Sequence, residues 1–260
     1  MKVTMLGCGP SRGVPMIGPV WGSCDPENPK NRRRRPSVLV ESCEKALLID
    51  TSPDLRDQML DAGVSSVDAV LFTHDHADHI NGIDDLRSLR ADPAANTDVF
   101  AAADVLDTVK KRFSYLFDGC QEAGELYRPV CAPHAFDGPF SAAGFDILPL
   151  EQDHGICRSW GFRIGPFAYS TDCVALPDAT LAALEGVDTW IVDCLRDGEP
   201  HPTHANLAQV RAWVARVRPR RAVLTHMNHQ ADYETLKAVC PDGVEPGFDG
   251  MVIEIPEGAC

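Results

Sequence analysis

The sequence predicts a layered α/β fold, and three observations carry that prediction. Short apolar runs of strand length recur along the chain, helical patterns lie between several of them, and Asp or His stands where five of the runs end. The chain has 260 residues with 44% hydrophobic side chains, which is enough for one sizeable core. Because no internal repeat or low-complexity linker interrupts it, we expect a single domain over residues 1–260.

The individual elements follow from these patterns in order. The predicted strands are 2–6, 37–42, 45–50, 69–73, 145–150, 160–164, 167–171, 189–193, 222–225 and 251–255. The predicted helices are 52–63, 84–90, 104–113, 177–186, 203–217 and 231–239. Gly63 and Gly186 are typical of helix C-termini, where glycine accepts the left-handed conformation.

Five predicted strands end in residues that can do chemistry: Asp50, Thr73-His74, Asp172, Asp193 and Thr225-His226. In layered α/β folds, functional side chains collect at strand ends and in the loops that follow. Helix caps and ordinary loop residues would explain one or two of these positions but not all five. We therefore expect these side chains to meet in one site.

The composition of the chain limits which partners the protein is expected to bind and in which cellular compartment we expect it. A net charge of -14 argues against a protein that grips nucleic acid by its phosphates, because that affinity depends on Lys and Arg. No run approaches the ~20 apolar residues of a membrane span, and the N-terminus lacks the apolar core of a signal peptide. The ten cysteines include no C-x-x-C pair. We expect a cytoplasmic protein with reduced thiols and no membrane or stable nucleic-acid partner.

The stretch THDHADH at 73–79 concentrates candidate metal ligands. His74 and His76 are two residues apart, so in an extended turn both imidazoles point the same way and can hold one ion. Asp78 and His79 follow and can hold a second ion. Imidazole and carboxylate ligands suit Zn, Mn or Fe, and the sequence does not choose among them.

This pattern, H-x-H-x-D-H, resembles the signature of the metallo-β-lactamase fold superfamily. The resemblance implies a four-layer αβ/βα sandwich with two metals at one edge. It also implies a ligand set, with Asp172 bridging the two ions. The first ion would take His74, His76 and His154, and the second would take Asp78, His79 and His226.

Four further segments narrow the resemblance to the PhnP-type branch, which contains phosphoribosyl 1,2-cyclic phosphate phosphodiesterase. They are LGCGPSRGVP, VWGSCDPENPKNRRRRPS, THMNHQ and GFDGM, and the similarity runs over about residues 2–255. It implies a dinuclear phosphodiesterase acting on a small cyclic or nucleotide-like substrate through a hydroxide shared by the metals. It also allows a homodimer.

The catalytic residues implied are the ligand Asp78 and His204, the latter as the general acid that protonates the leaving oxygen. We interpret His201 and His134 as ordinary surface or loop residues. Asp50 and Asp193 are expected behind the metals, orienting a ligand or anchoring the loop of His204.

Two further expectations concern the segment before the second strand. PhnP-type proteins can carry a third, structural zinc, for which this chain offers only Cys24, Asp25 and His229. The basic run 32–35 is expected to supply a substrate-phosphate contact, with Arg34 and Arg35 as the candidates and Arg12 and Arg33 nearby.

Three alternative functions stay open. The first is a tRNA 3′-processing nuclease of the tRNase Z type, which the acidic charge opposes. The second is a thioesterase of the glyoxalase II type, which the PhnP-like termini do not fit. The third is a non-catalytic protein that senses a nucleotide through its metal site, against which the complete ligand set argues.

Overall fold

The computed structural model describes residues 1–90, 92, 94–119 and 128–256. Two mixed seven-stranded sheets pack with helices on their outer faces, which is the αβ/βα sandwich that the sequence predicted. None of the described helices is long and apolar enough to cross a membrane.

The first sheet joins the N-terminal half of the chain to its last strand. Its order is β14-β1-β2-β3-β4-β5-β6. Strands from β14 to β3 pair antiparallel, and strands from β3 to β6 pair parallel. The bounds are β1 Lys2–Gly7, β2 Ser37–Ser42, β3 Lys45–Ile49, β4 Ala69–Leu71, β5 Thr97–Ala102, β6 Cys131–Phe136 and β14 Met251–Glu254.

The second sheet repeats this plan, with the order β13-β12-β11-β10-β9-β8-β7. Strands β7 to β10 pair antiparallel, and β10 to β13 pair parallel. The bounds are β7 Phe140–Ala142, β8 Phe145–Asp153, β9 Arg158–Ile164, β10 Phe167–Ser170, β11 Thr189–Asp193, β12 Arg221–Thr225 and β13 Val244–Pro246.

Helices connect the parallel strands. The α-helices are α1 Leu55–Ala62, α2 Ala77–Ile80, α3 Ala103–Arg112, α4 Ser114–Phe117, α5 Asp178–Ala183, α6 Leu207–Val217 and α7 Tyr233–Val239, with 3₁₀ turns at Pro29–Asn31 and Ile83–Arg87. Helix α6 begins with a capping box in which Asn206 and Gln209 satisfy each other's backbone N–H. Gly63 ends α1 at φ 67°, as predicted.

All ten predicted strands are present, and β5, β6, β7 and β13 were missed. The predicted helix at 84–90 is a 3₁₀ turn at Ile83–Arg87, so that prediction was wrong in type. Among the described residues seven cysteines are free and Cys43 is disulfide-bonded, so the expectation of reduced thiols is wrong for Cys43.

A buried arginine fixes the loop that follows the metal-ligand candidate His226. Arg33 is 1% exposed, and its guanidinium donates to the carbonyl oxygens of Asn228 (3.2 Å) and Ala231 (2.8 Å). It also donates to the Asn31 side chain at 3.1 Å. Backbone carbonyls this deep in a protein need a donor, so Arg33 joins the segment before β2 to the loop after β12.

We expect Arg33→Met to lower the free energy of unfolding by ~3 kcal/mol, because two buried carbonyls lose their donor. Urea denaturation measures the loss. The neighbouring Arg32 is exposed and lies over the Trp21 ring, so Arg32→Met is the matched control, with a loss of about 0.5–1 kcal/mol. Equal losses in the two variants would contradict this account.

Candidate metal centre

The site lies where strands of both sheets end. The topology brings strand ends together because neighbouring parallel strands terminate at the same edge. Asp50 follows β3 and His74 lies just beyond β4 in the first sheet. In the second sheet the corresponding residues are His154 after β8, Asp172 after β10, Asp193 at the end of β11 and His226 after β12.

Three of these residues have left-handed backbone conformations, at φ 62° for Asp50, 51° for Asp172 and 60° for His226. This region is uncommon for residues other than glycine. It turns the chain sharply at the strand end and is kept only where the surrounding structure fixes it. Backbone strain therefore coincides with two candidate ligands at the ends of second-sheet strands, and in the first sheet with Asp50, which is expected behind the metals.

Asp172 stands between two groups of histidines. Its Oδ2 lies 3.7 Å from His74 Nε2 and 3.5 Å from His154 Nε2. Its Oδ1 lies 3.2 Å from His79 Nε2 and 3.3 Å from His226 Nε2. The two oxygens of one carboxylate thus face two separate sets of imidazoles, which is the arrangement that a bridging ligand needs.

Each set is large enough to hold an ion. Ligand atoms of His74, His76, His154 and Asp172 lie within 4.8 Å of one another, and so do those of Asp78, His79, Asp172 and His226. Asp78 completes the second set, with Oδ2 3.4 Å from His79 Nε2 and 3.6 Å from His226 Nε2. These are the two groups that the resemblance implied.

The free nitrogen atoms fit metal ions in these groups. His74 Nε2, His79 Nε2 and His226 Nε2 are buried and have no hydrogen-bond partner. Buried polar atoms are almost always partnered, so three orphaned nitrogens around one carboxylate need an explanation. Divalent ions supply it, because neutral imidazole binds metals through a ring nitrogen that carries no proton.

Hydrogen bonds to the other nitrogen of each imidazole ring decide which of its two nitrogens carries the proton. His79 Nδ1 lies 2.7 Å from Asp50 Oδ2, and His154 Nδ1 lies 2.7 Å from the Thr203 carbonyl. A carboxylate or a carbonyl can only accept, so both Nδ1 atoms carry the proton. The Nε2 lone pairs of both rings are therefore free to face a metal.

Thr73 fixes the position of the ring proton of His74 in the same way. Its hydroxyl donates to Asp50 Oδ2 at 2.8 Å, so its oxygen is left to accept from His74 Nδ1 at 2.9 Å. Asp50 Oδ1 also accepts the Thr73 backbone N–H at 2.9 Å. One buried carboxylate therefore orients a ligand from each group.

The electrostatics of Asp172 and His74 agree with this arrangement, whereas Asp172, Asp78 and Asp50 raise the pKa of His79 well above its usual value against the effect of burial. Burial alone would raise the pKa of Asp172, but the surrounding His226, His79 and His74 hold it well below its usual value. Burial lowers the pKa of His74 well below its usual value, and its histidine neighbours lower it further. The carboxylate is charged and His74 is neutral, which are the forms that bind metal.

His204 lies beside the two groups without belonging to either. Its ring stacks on His226 at 4.5 Å between centroids and meets His154 edge-on at 5.0 Å. Its Nδ1 lies 3.2 Å from Asp193 Oδ2. Burial would lower the pKa of His204, but Asp193 raises it to about 9. Asp193 therefore anchors the loop of His204. This is one of the two roles expected for it, the other being to orient a metal ligand.

The sequence missed two neighbours of the site. The His201 ring lies 5.2 Å from the His204 ring, so describing His201 as an ordinary loop residue was incomplete. Cys157 Sγ lies 4.0 Å from His76 Nε2. Neither residue has a motif that marks it. His134, by contrast, is exposed and pairs with Asp98, as expected of a surface residue.

The basic run lies apart from the metal-ligand candidates, and its phosphate contact stays a prediction. Arg34 pairs with Asp61 and Asp249, and Arg35 pairs with Asp54. These arginines line a cavity of about 720 Å³ to which none of the metal-ligand candidates contributes. Their guanidinium groups are already neutralised there.

The third zinc finds no ligand group in the described part of the chain. Cys24, Asp25 and His229 do not gather into a set of metal-binding size. Cys24 Sγ lies instead 3.9 Å from the guanidinium of Arg33. The loops that a zinc would join are joined by Arg33.

A sandwich of two mixed sheets with a histidine and aspartate cage at one edge defines a metallo-β-lactamase fold. The family model described as "Beta-lactamase superfamily domain" matches residues 45–227. A PhnP-family diphosphatase of known crystal structure is 32% identical, with a TM-score of 0.87 over 97% of this chain and 96% of that one. The chain belongs to the beta-lactamase superfamily and, within it, to the PhnP type.

Two curated proteins are also similar. An octanoyltransferase of Porphyromonas gingivalis is 32% identical over 259 residues, which are 99% of this chain and 52% of that protein. A ribonuclease Z of Bradyrhizobium diazoefficiens is 32% identical over 140 residues, which are 52% of this chain and 45% of that protein. The chain thus spans about half the length of the curated relatives it matches.

We expect Asp172→Asn to reduce the binding of both metal ions, because both groups share this carboxylate. Metal content after dialysis, measured by mass spectrometry, should fall from two ions per chain to less than one. Asp75→Asn is the matched control, since Asp75 lies within the same THDHADH segment but outside both groups. Loss of only one ion would show that Asp172 does not bridge.

We expect Asp50→Asn to weaken metal binding about 10–100-fold while leaving every ligand in place. An amide offers His79 a poorer acceptor than a carboxylate and disturbs Thr73 as well. Competition with a chelator measures the affinity. Asp68→Asn, which changes a carboxylate paired with exposed Lys45, should leave it unchanged.

Proposed function

We propose that this protein is a dinuclear metal-dependent hydrolase that cleaves a P–O bond in a small phosphodiester or diphosphate. The observation that carries the proposal is Asp172, whose two oxygens face two histidine groups while His204 lies directly alongside. The similarity to a PhnP-family diphosphatase over nearly the whole of both chains supports the phosphate chemistry.

Each ion would be held by its own set of ligands. His74, His76 and His154 would hold one ion, and Asp78, His79 and His226 the other. Ions held there would neutralise phosphate charge and lower the pKa of water. These ligands suit both Zn and Mn, and the metal that is available to the protein would decide which one is bound.

His204 is the proton donor in this proposal. Its Nδ1 is engaged with Asp193, so the opposite nitrogen, Nε2, is the one that can serve a substrate. Asp193 also accepts the backbone N–H groups of Cys173 and Ala205 and is completely buried, which fixes its position. An alkoxide is a poor leaving group, so a positioned acid at this point contributes directly to the rate.

Charge favours a small substrate over RNA. The net charge is -14, and a polyanion would be repelled by the chain as a whole. A tRNA-processing activity remains the second candidate because of the similarity to ribonuclease Z. We propose no stable nucleic-acid or membrane partner.

We expect His204→Ala to slow hydrolysis of adenosine 2′,3′-cyclic phosphate by about 10²–10⁴-fold, because its alkoxide must be protonated as it leaves. Hydrolysis of bis(p-nitrophenyl) phosphate should change little, since nitrophenolate leaves without a proton. Initial rates on both esters, with Mn- and Zn-loaded enzyme, measure this difference. His134→Ala, an exposed histidine away from the cage, is the control.

The outcomes separate the candidate functions. An equal loss on both esters would remove His204 from the role of acid. Cleavage of a precursor tRNA with no turnover of small esters would favour the nuclease. No turnover of any ester, with both ions bound, would favour a sensor and overturn the proposal.

A further inference from the structure

Three strands lead into a threonine that directly precedes a candidate metal ligand. All three threonines are completely buried. The pairs are Thr73-His74 after β4, Thr171-Asp172 after β10 and Thr225-His226 at the end of β12. Because the same pair recurs at strand ends of both sheets, the three hydroxyl groups can be compared directly.

The three hydroxyl groups differ in what they contact. The Thr73 hydroxyl fixes the ring proton of His74. The Thr171 hydroxyl bonds to Oδ1 of Asp172, the residue that follows it, at 2.8 Å. The Thr225 hydroxyl has no hydrogen-bond partner within the described residues. Of the three, Thr171 is therefore the one that contacts the carboxylate between the two histidine groups.

The Thr171 bond falls on the oxygen that faces the second histidine group. A carboxylate oxygen accepts, so the Thr171 hydroxyl donates to Asp172 Oδ1. The same oxygen lies 3.2 Å from His79 Nε2 and 3.3 Å from His226 Nε2. The bond therefore fixes the direction of Oδ1 and, with it, the direction in which Oδ2 faces the first group.

An aspartate carboxylate needs such a bond to keep one orientation. The preferred angles for rotation about its Cβ–Cγ bond are broad, so the backbone of Asp172 does not by itself decide where the two oxygens point. A bridging ligand works only when one oxygen faces each ion. The Thr171 hydroxyl supplies the constraint that the torsion lacks.

Strands β8 and β9 hold Thr171 itself in place. The Gln152 side-chain amide donates to the Thr171 carbonyl at 3.0 Å and to the Ser159 hydroxyl at 3.2 Å. The Ser159 hydroxyl donates in turn to the Asp172 carbonyl at 2.7 Å. Gln152 and Ser159 are both buried. The backbone of the left-handed turn is thereby fixed, and the Thr171 hydroxyl acts from a constant position.

We propose that Thr171 is a positioning residue, which holds the Asp172 carboxylate in the rotation that lets one oxygen serve each metal ion. The inference rests on the proposed function, because it requires two ions at the site. It adds that the assembly of the ion pair depends on a neutral hydroxyl outside both ligand groups.

Thr171→Val removes the hydroxyl and keeps the shape of the side chain. Calorimetric titration with Mn should show that one of the two ions binds about 10–100-fold more weakly than in the wild-type protein, because the carboxylate is no longer held for sharing. Electron paramagnetic resonance at saturating Mn should show an exchange-coupled pair in the wild-type protein and separate ions in the variant. Thr171→Ser keeps a hydroxyl and should restore both properties.

Thr225→Val is the matched control, since it makes the same change beside a candidate ligand at a position where the hydroxyl has no partner. It should leave both affinities and the coupled spectrum unchanged. Urea denaturation of both valine variants checks that the fold is intact, and Thr171→Ala gives the same test if Thr171→Val does not fold. Unchanged or tighter Mn binding in Thr171→Val, or equal losses in the two valine variants, would overturn the positioning role.

The positioning role and the proposed function fail in different ways. A coupled Mn pair that persists in Thr171→Val would overturn the positioning role and leave the proposed hydrolase intact. Two uncoupled ions in the wild-type protein would also overturn it, while the ester rates would still decide the hydrolase. Wild-type protein that binds fewer than two ions of either Mn or Zn would overturn both.

Discussion

The burial of Asp172 among four imidazoles is the interaction on which the rest of the structure depends. A carboxylate that is 2% exposed is costly unless opposite charge or hydrogen bonds compensate it. Here the compensation comes from both sheets, because His74 and His79 follow the first sheet while His154 and His226 follow the second. The cage therefore joins the two halves of the sandwich at the edge where the chemistry is proposed.

The strand ends are shaped to deliver these side chains. Asp50, Asp172 and His226 each take a left-handed conformation immediately or shortly after a strand. A strand continued in extended form would alternate its side chains between the two faces. The turn instead sends one chosen side chain over the sheet edge, and the buried contacts hold it there. Such strain is expected where a site is fixed in advance of its ligand.

The features that the sequence predicted depend on residues close together in the chain. The features that it could not predict depend on partners far away in the chain. The ligands in THDHADH and the Asp or His at strand ends are recognisable because spacing and strand position alone indicate them. The ion pairs of the basic run were not predictable because their partners, Asp54, Asp61 and Asp249, lie 19 to 215 residues away. Arg196 has no pattern around it, and only folding brings it to Gln230 in the loop after β12. The ends of apolar runs were predictable, whereas pairings between loops were not.

Arg33 is another residue whose partners are brought together only by folding, and its contacts lie in the loop that follows the candidate ligand His226. Its guanidinium holds the carbonyl of Asn228, two residues after His226, and lies against Cys24. The loop after β12 therefore depends on a cation supplied by the chain itself. Gln230, in that same loop, contacts Arg196. One loop thus carries a candidate metal ligand at its start and, a few residues later, a contact to the loop of His204. Its fixed position would keep the loop of His204, the proposed proton donor, at a constant distance from the metals, and a general acid acts only when it is positioned at the leaving oxygen.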